Sequence, residues 1–236
     1  ISACLVGSEM CIRDSYNLKH MKKIVLIGAS GFVGSAILKE ALGRGYFVKA
    51  IVRHPEKISD KNSNLELVKT DVMDVSKLAD VLSGADAVIS AYNPGWSNPN
   101  IAVDTDKGYK SIIAATKLAN IKRLQIVGGA GSLFVAPGKT VVDSGVIPDA
   151  ILPGVLALAK VLKEDLKNEK NLDWVFFSPA GTIEPGERTA KYRLGKDDLV
   201  VDINGESKIS VEDYAKAMID ELENPQHHQE RFTIGY

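Results

Sequence analysis

Residues 22–34 read KKIVLIGASGFVG, and this stretch decides the fold of the chain. Its apolar run, residues 24–27, is continuous rather than alternating, which is typical of a parallel strand covered by helices on both faces. Three glycines follow at equal spacing, where missing Cβ atoms permit a tight turn and close approach of a pyrophosphate. The helix-like sequence SAILKEALGRG comes directly after them.

This strand, turn and helix together predict a dinucleotide-binding site. Phosphates bind at a helix N-terminus because unpaired N–H groups and the positive end of the helix dipole meet them there. A glycine triplet alone also fits an ordinary turn, but the flanking strand and helix favour the nucleotide site. The residues expected to contact the cofactor here are Gly28, Ala29, Ser30, Gly31, Phe32, Val33 and Gly34.

The first twenty residues, ISACLVGSEMCIRDSYNLKH, do not resemble the rest of the chain. They lack the charged start and long apolar core of a signal peptide. The phrase GSEMCIRDS resembles a translated cloning or sequencing adaptor, so residues 1–20 are expected to be a non-native or disordered leader, with Met21 as the natural start. A genuine flexible arm is the alternative. Because both cysteines, Cys4 and Cys11, lie in this leader, a reducing cytoplasm is the simplest location for the protein.

The composition is that of an ordinary soluble globular domain. The 236 residues are 45% hydrophobic and 25% charged, and the formal net charge is −1. This charge gives no electrostatic signature for nucleic acid. No apolar run approaches the roughly 20 residues that cross a membrane. The four histidines show no metal-binding spacing. We therefore expect a small-molecule substrate, no nucleic acid, no membrane and no metal, and either a monomer or a homodimer.

Strand-like and helix-like segments alternate from Lys22 to Phe177, which indicates an α/β fold with a doubly wound parallel sheet. The hydrophobic pattern predicts strands at 24–27, 46–52, 65–70, 87–90, 124–127 and 174–177, and helices at 33–42, 75–82, 104–119 and 155–167.

Past Pro179 the sequence changes to glycine, proline and charged residues. We expect residues 180–236 to form a small C-terminal substrate lobe on a single domain that spans 21–236. The predicted elements of this lobe are strands at 192–194, 199–203 and 231–234 and a helix at 210–222, with Ser210 as its N-cap.

The second predicted strand indicates which cofactor binds. Enzymes that prefer NAD usually carry an acid about 20 residues past the glycine turn, where it binds the ribose 2′-hydroxyl. No acid is present in residues 46–52, and Arg53 follows, whose guanidinium can clamp a 2′-phosphate. The sequence thus favours NADP(H) over NAD(H), with an arginine that caps the sheet edge as the alternative. Asp71 is expected to face the adenine with Val72 packed on the ring, and the alternative is that Asp71 caps the following turn.

Five segments carry a family resemblance: GASGFVG, VRHPEK, TDVMD, VISAYNP and VGGAGSL, each placed after one of the first five strands. Together they resemble the atypical short-chain dehydrogenase/reductase family, and within it the NAD(P)H-binding proteins similar to biliverdin-IXβ/flavin reductase and to redox-sensing nitrogen-regulator-like proteins. The resemblance runs from Met21 to Tyr236 and includes ISVEDYAKAM, which is similar to the C-terminal helix of the family. It implies a Rossmann fold, a nicotinamide near Ser90, Ala91 and Tyr92, and a substrate beside the loop after the fifth strand.

The chain departs from the family at the catalytic pair, a Tyr-x-x-x-Lys motif on the helix after the fifth strand. Lys160 stands at the lysine position, but the residue four positions earlier is Leu156, which cannot donate a proton. Ser132 is the hydroxyl nearest the expected serine, with Ala130 as the alternative alignment. Ser132 and Lys160 are therefore the candidate catalytic residues, and the alternatives are a turn hydroxyl and a solvated lysine.

Tyr192 and Lys196 also spell the motif, but they lie on either side of Gly195 in a predicted hairpin. The motif needs both side chains on one helical face, so we expect this pair not to be catalytic.

Three functions fit these observations. The first is a reductase of a flavin, a quinone or a similar small acceptor, which needs only orientation from the protein because the cofactor carries the chemistry. The second is a non-catalytic NADPH-binding redox sensor. The third is a sugar-nucleotide epimerase or dehydratase, which the missing tyrosine and the short C-terminal segment disfavour.

Overall fold

The computed structural model of the protein describes residues 22–236, so the predicted leader at 1–20 lies outside the described residues. The strands in this range are β1 (Lys23–Ile27), β2 (Phe47–Val52), β3 (Leu65–Lys69), β4 (Ala87–Ser90), β5 (Arg123–Val127), β6 (Phe134–Ala136), β7 (Lys139–Thr140), β8 (Asp173–Ser178), β9 (Thr182–Glu184), β10 (Arg193–Gly195), β11 (Lys208–Ser210) and β12 (Glu230–Gly235). The helices are α1 (Phe32–Gly43), α2 (Val75–Leu82), α3 (Ile101–Leu118), α4 (Leu152–Lys160), which continues as a π-helix over Val161–Leu166, and α5 (Val211–Glu223).

Eight strands form the central sheet, in the order β10, β12, β8, β5, β4, β1, β2, β3. Neighbouring strands are parallel except β10, which runs antiparallel to β12. The strand order changes direction between β1 and β4, and in such sheets a crevice opens there at the carboxyl ends of the strands. The predicted doubly wound parallel sheet is confirmed.

Helices cover both faces of the sheet, and this explains the continuous apolar run of β1. Ile24 and Leu26 belong to the core that lies under α1 and α5. Val25 and Ile27 belong to the opposite core, under α2, α3 and the end of α4. Alternate side chains of one strand therefore enter two different cores, and all four are buried. Among residues 22–236, no helix is both long and apolar enough to cross a membrane.

The segment after β8 returns to the main sheet. It contributes β10 and β12 to the central sheet, and β11 pairs with β9 in a small parallel sheet. The predicted strand at 199–203 is wrong: this stretch is irregular. The Leu199 amide donates a hydrogen bond to the Phe134 carbonyl, and Val200 packs over Gly195 and Gly235. The stretch therefore lies across the edge of the sheet and does not extend it.

The start of α5 is the anchor of this segment. As predicted, the Ser210 hydroxyl caps the helix, accepting a hydrogen bond from the Asp213 amide at 3.1 Å. The buried Asp213 carboxylate accepts hydrogen bonds from the Thr189 hydroxyl at 2.6 Å, the Ala190 amide at 2.7 Å and the Tyr236 hydroxyl at 2.9 Å. Burial opposes ionisation, but these hydrogen bonds outweigh it and lower the pKa of the Asp213 carboxyl.

We predict that Asp213→Asn lowers the free energy of unfolding by about 1.5–3 kcal/mol at neutral pH, because it removes a charged acceptor of three hydrogen bonds. A carboxyl whose folded pKa is lowered contributes stability above its ordinary value of 3.8 and loses it as the pH falls through the folded pKa. The difference in unfolding free energy between wild type and variant should therefore shrink as the pH falls below 3.8 and through the folded pKa of Asp213. Urea unfolding across the acid range measures this difference, with exposed Asp80→Asn as the control. A difference that stays constant with pH would contradict the assignment.

Candidate functional site

The glycine turn between β1 and α1 is fixed by contacts that only glycine permits. Gly28 has a φ of +81°, and a Cβ added there would lie 2.5 Å from the Ala91 carbonyl oxygen. A Cβ on Gly34 would lie 2.1 Å from the Gly28 carbonyl oxygen. The turn closes further through the Gly31 amide, which donates to that same carbonyl at 3.0 Å. The first turn of α1 is therefore pressed onto the end of β1, and a side chain at Gly34 would separate them, whereas a side chain at Gly28 would push β1 away from the end of β4.

The N-terminus of α1 is suited to an anion. Gly31 is its N-cap, and among the described residues no side chain caps this helix and no acid lies in its first turn. Ser30, Gly31 and Phe32 are exposed, whereas Ala29 is buried and Val33 packs on the core. Free N–H groups at an exposed helix start bind phosphate oxygens. The residues present thus fit the pyrophosphate of a dinucleotide.

A cavity of about 380 Å³ lies next to this turn, at the carboxyl ends of β2, β3 and β4. It brings together four residues that the sequence predicts as cofactor contacts: Arg53, Asp71, Val72 and Tyr92. The remaining lining residues are Lys69, Thr70, Met73, Pro94, Asn98 and Asp104. Because β2, β3 and β4 all end at this edge of the sheet, on either side of β1, side chains far apart in sequence share one space beside the phosphate site.

Arg53 and Asp71 are both exposed in this cavity. The Arg53 Nη1 donates to the Pro94 carbonyl at 3.5 Å, a long hydrogen bond that leaves the guanidinium weakly held. One oxygen of Asp71 accepts from the Met73 amide at 3.0 Å, so this carboxylate does cap the following turn. The N-cap of α2 itself is Asp74, which accepts from the Lys77 amide at 3.1 Å.

The end of β4 forms one wall of the cavity. Ser90 is fully buried, and its hydroxyl accepts from the Tyr92 amide at 3.4 Å. The Tyr92 hydroxyl donates to the Asp104 carbonyl at 3.2 Å, and its ring lies edge-on to Tyr109. Burial raises the pKa of Tyr92 to about 12, with the charge of Asp104 as the second cause. Tyr92 is therefore a fixed, neutral phenol that can pack against a ligand but is a poor proton donor.

Ser132 and Lys160 line a second cavity, of about 400 Å³, between α4 and the start of β12. Arg231 donates through Nη1 to the Ser132 hydroxyl at 2.9 Å and to its carbonyl at 2.8 Å. Lys160 pairs with Asp106 of α3 at 3.2 Å and with Glu164 at 3.7 Å. The structure thus brings the two predicted catalytic residues to one cavity, but each is engaged by protein groups. This cavity and the one beside Arg53 share no lining residue.

Tyr192 and Lys196 flank β10 and do not lie on a helix. The Tyr192 hydroxyl donates to Asp220 of α5 at 2.8 Å, and Lys216 lies 5.6 Å from the centre of its ring. Burial, and then the hydrogen bond to Asp220, raise the pKa of Tyr192 above its ordinary range. This phenol is held more firmly in its protonated form than a free tyrosine, which is the opposite of what the catalytic motif requires.

Sequence reasoning missed several residues of these cavities. Asn98 and Asp104 join the wall near Tyr92, where the Asn98 amide donates to the Asp104 carboxylate at 2.8 Å. The sequence NPGWSNPN indicates only a loop, and no spacing in it shows which strand end the loop covers. Arg231 lies in the last strand, about 100 residues from Ser132, so only the sheet topology brings them together.

A family model described as NAD(P)H-binding matches residues 28–225. The chain belongs to this family. The match begins at the first glycine of the turn and includes every residue of the cavity beside it. Together with the sheet topology, it identifies an NAD(P)H-binding Rossmann domain of the atypical short-chain dehydrogenase/reductase type.

Related proteins agree with this assignment. The uncharacterized protein YwnB of Bacillus subtilis is 40% identical over 215 residues, which cover 90% of this chain and 97% of that protein. A solved structure of a candidate epimerase from Bacteroides thetaiotaomicron is 60% identical, with a TM-score of 0.87 over 92% of this chain and 97% of that one. A candidate NADH-flavin reductase from Streptococcus pneumoniae is 33% identical, with a TM-score of 0.76 over 91% and 99%.

We predict that Gly34→Ala weakens NADPH binding at least about ten-fold and lowers the thermal midpoint, because the added methyl displaces the phosphate-binding amides. Gly43→Ala is the matched control: it lies in the same helix, and a Cβ there has nothing within 4 Å. That variant should bind normally and be slightly more stable, since alanine is the better helix former. Calorimetric titration and thermal melts measure both effects. Equal effects of the two substitutions would show that close packing at the turn is unimportant.

A second prediction concerns Tyr192. In a chain with NADPH-dependent turnover, Tyr192→Phe should change kcat by less than about three-fold, against the hundred-fold or more expected when a general acid is lost. Ser132→Ala and Lys160→Ala should have larger effects, through cofactor and substrate placement. Steady-state kinetics with NADPH affinity measured in parallel provide the comparison. A large kcat loss confined to Tyr192→Phe would assign the proton donor to this residue.

Proposed function

We propose that the protein is an NADPH-dependent reductase of a flavin, a quinone or a similar small acceptor. The observation that carries the proposal is the combination of an NAD(P)H-binding domain with Leu156 in place of the proton-donating tyrosine. A carbonyl or alcohol substrate needs that proton donor next to it. A flavin or quinone takes its proton from water, so this chain has the residues that the reaction needs.

Different residues bind different parts of the cofactor. The amides at the start of α1 bind the pyrophosphate, Arg53 clamps the 2′-phosphate, and Asp71 with Val72 contacts the adenine. Ala91 and Tyr92 form the surface beside the nicotinamide, and the buried Ser90 hydroxyl positions them by accepting from the Tyr92 amide. Bound NADPH would supply the hydride, while the protein orients the two rings.

The named relatives support an oxidoreductase without choosing its substrate. The Streptococcus pneumoniae structure supports flavin reduction, although its name gives NADH and Arg53 favours NADPH here. The name of the Bacteroides thetaiotaomicron structure favours an epimerase. Epimerases of this superfamily use the tyrosine as acid and base, and Leu156 cannot replace it.

A non-catalytic NADPH sensor is the second candidate, and the same Leu156 favours it, because a sensor needs no proton donor. The two functions differ in whether bound NADPH is consumed. We propose the cytoplasm as the location of either, because residues 21–236 contain no cysteine.

One experiment separates these functions. NADPH oxidation is followed without oxygen against a panel of flavins, quinones, aldehydes and sugar nucleotides, beside a calorimetric titration of NADPH. Turnover with flavins or quinones but not aldehydes is the expected result. Tight NADPH binding with no turnover would assign a sensor, and conversion of a sugar nucleotide without net NADPH loss would assign an epimerase.

The cofactor preference gives a further prediction. Arg53→Ala should weaken NADPH binding by roughly ten-fold or more, because a pair of charge-assisted hydrogen bonds to the 2′-phosphate is lost, while NADH binding stays nearly unchanged. Lys61→Ala removes an exposed positive charge from the neighbouring loop, away from the residues that line the cavity, and serves as the control. Calorimetry with both cofactors measures the preference. Equal losses for NADPH and NADH would contradict the role of Arg53.

A further inference from the structure

The loop between β4 and α3, residues 91–100, connects the two sides of the crevice. On one side the Pro94 carbonyl accepts the hydrogen bond from Arg53, in the cavity proposed for adenosine. On the other side the Trp96 ring lies over Gly154, in the first turn of α4: a Cβ added to Gly154 would be 3.0 Å from the indole Cζ3. The loop therefore holds an indole against the first turn of α4, and the same loop begins with Ala91 and Tyr92, the residues proposed to contact the nicotinamide.

Hydrogen bonds hold this loop in one conformation. The Asn93 side chain accepts from the Gly95 amide at 2.7 Å, and the Asn98 side chain accepts from the Asn100 amide at 2.9 Å. The Asn98 side-chain amide also donates to Asp104 of α3 at 2.8 Å. The backbone on both sides of Trp96 is tied down in this way, and the indole lies against Gly154, which lowers the entropy cost of packing a ligand against it.

Trp96 is exposed to an extent that the fold itself does not require. Its relative exposure is 51%, whereas the other tryptophan of the chain, Trp174, is 2% exposed and packs in the core. Leaving an indole half in water forfeits hydrophobic stabilisation. An exposed aromatic ring in the loop that carries the proposed nicotinamide contacts gives a flat apolar surface on which a planar ring can stack.

We propose that Trp96 is the stacking surface for the planar acceptor, and that this acceptor is the isoalloxazine ring of a flavin. The proposal rests on the reductase function proposed above. The acceptor ring, held between Trp96 and the nicotinamide, would take one hydride (two electrons and one proton) from NADPH and a second proton from water. The products are NADP⁺ and the reduced flavin, so no protein group has to supply a proton.

The first test compares Trp96→Leu with Trp96→Phe, using NADPH and flavin mononucleotide. Trp96→Leu keeps an apolar side chain but loses the aromatic face, so the KM for the flavin should rise roughly five-fold or more, since loss of one aromatic stacking partner has effects of this size. Both kcat and NADPH affinity should stay within about three-fold of wild type, because Trp96 places the acceptor and moves no proton. Trp96→Phe should restore most of the flavin affinity. Leu118→Ala, an exposed apolar residue at the far end of α3, is the matched control.

The second test reads stacking directly on the wild-type protein. Flavin mononucleotide is titrated with the protein in the presence of NADP⁺, which cannot reduce it, and flavin fluorescence is recorded. Stacking on an indole should quench the fluorescence of the bound flavin, and Trp96→Leu should abolish this quenching. Trp174 is present in both proteins, so it cannot account for a difference between them. Bound flavin with undiminished fluorescence overturns the proposal even if a variant fails to fold.

The two proposals fail in different ways. Wild-type turnover with flavin together with an unchanged KM in Trp96→Leu overturns the stacking role and leaves the reductase intact. Absence of NADPH oxidation with every acceptor overturns the reductase itself, and that result is obtained before any variant is made.

Discussion

The approach of α1 to the end of β1 is the constraint on which the rest of the structure depends. Gly34 lies so near the Gly28 carbonyl that a single methyl group does not fit between them. Gly28 in turn lies against the backbone of Ala91, at the end of β4. One turn thereby fixes the positions of a helix start and two neighbouring strands, and the phosphate site, the adenosine cavity and the loop after β4 are all arranged around it.

The other half of the sheet is fixed by α5, which packs beside α1 on the same face. Its first turn gathers Thr189, Ala190 and Tyr236 around the Asp213 carboxylate, and its buried Tyr214 hydroxyl donates to the Phe177 carbonyl at 2.6 Å. The ring of Phe177 stacks between those of Tyr214 and Phe232. These contacts join α5 to β8 and β12, so the segment that follows β8 is held to the sheet by buried groups, and the crevice has rigid walls on both sides.

Most of the central fold could be predicted from the sequence, because its inner strands, such as β1 and β4, are buried on both faces and are therefore apolar. The glycine turn, the βα alternation and the Ser210 cap depend on local chemistry that the residues show directly. The short strands β6, β7, β9 and β11 could not be found in this way, since each has two or three residues and is defined by its partner. The predicted strand at 199–203 was wrong for a related reason: Val200 packs over Gly195 and Gly235 at the sheet edge, and the stretch does not pair with it as a strand.

The candidate site was predictable to a similar degree. Arg53, Asp71 and Tyr92 could be placed together because they follow strands whose carboxyl ends must meet in a parallel sheet. The engagement of Ser132 by Arg231, and the contact of Trp96 with Gly154, could not be predicted, because they depend on how loops cross the ends of the sheet. Such contacts join residues about 60 to 100 positions apart and leave no local pattern in the sequence.

The place of β12 between β8 and β10 has a consequence for how the chain folds. β10 is synthesised before β12, but β12 is its neighbour in the sheet. β10 therefore cannot pair until β12 has been synthesised, about 35 residues later. Until then β8 presents an open backbone edge, and such edges are where growing chains pair wrongly with one another. Completion of this side of the sheet also requires closing a loop of about 50 residues, which slows folding relative to the local βα units. We expect aggregation during synthesis to begin at β8.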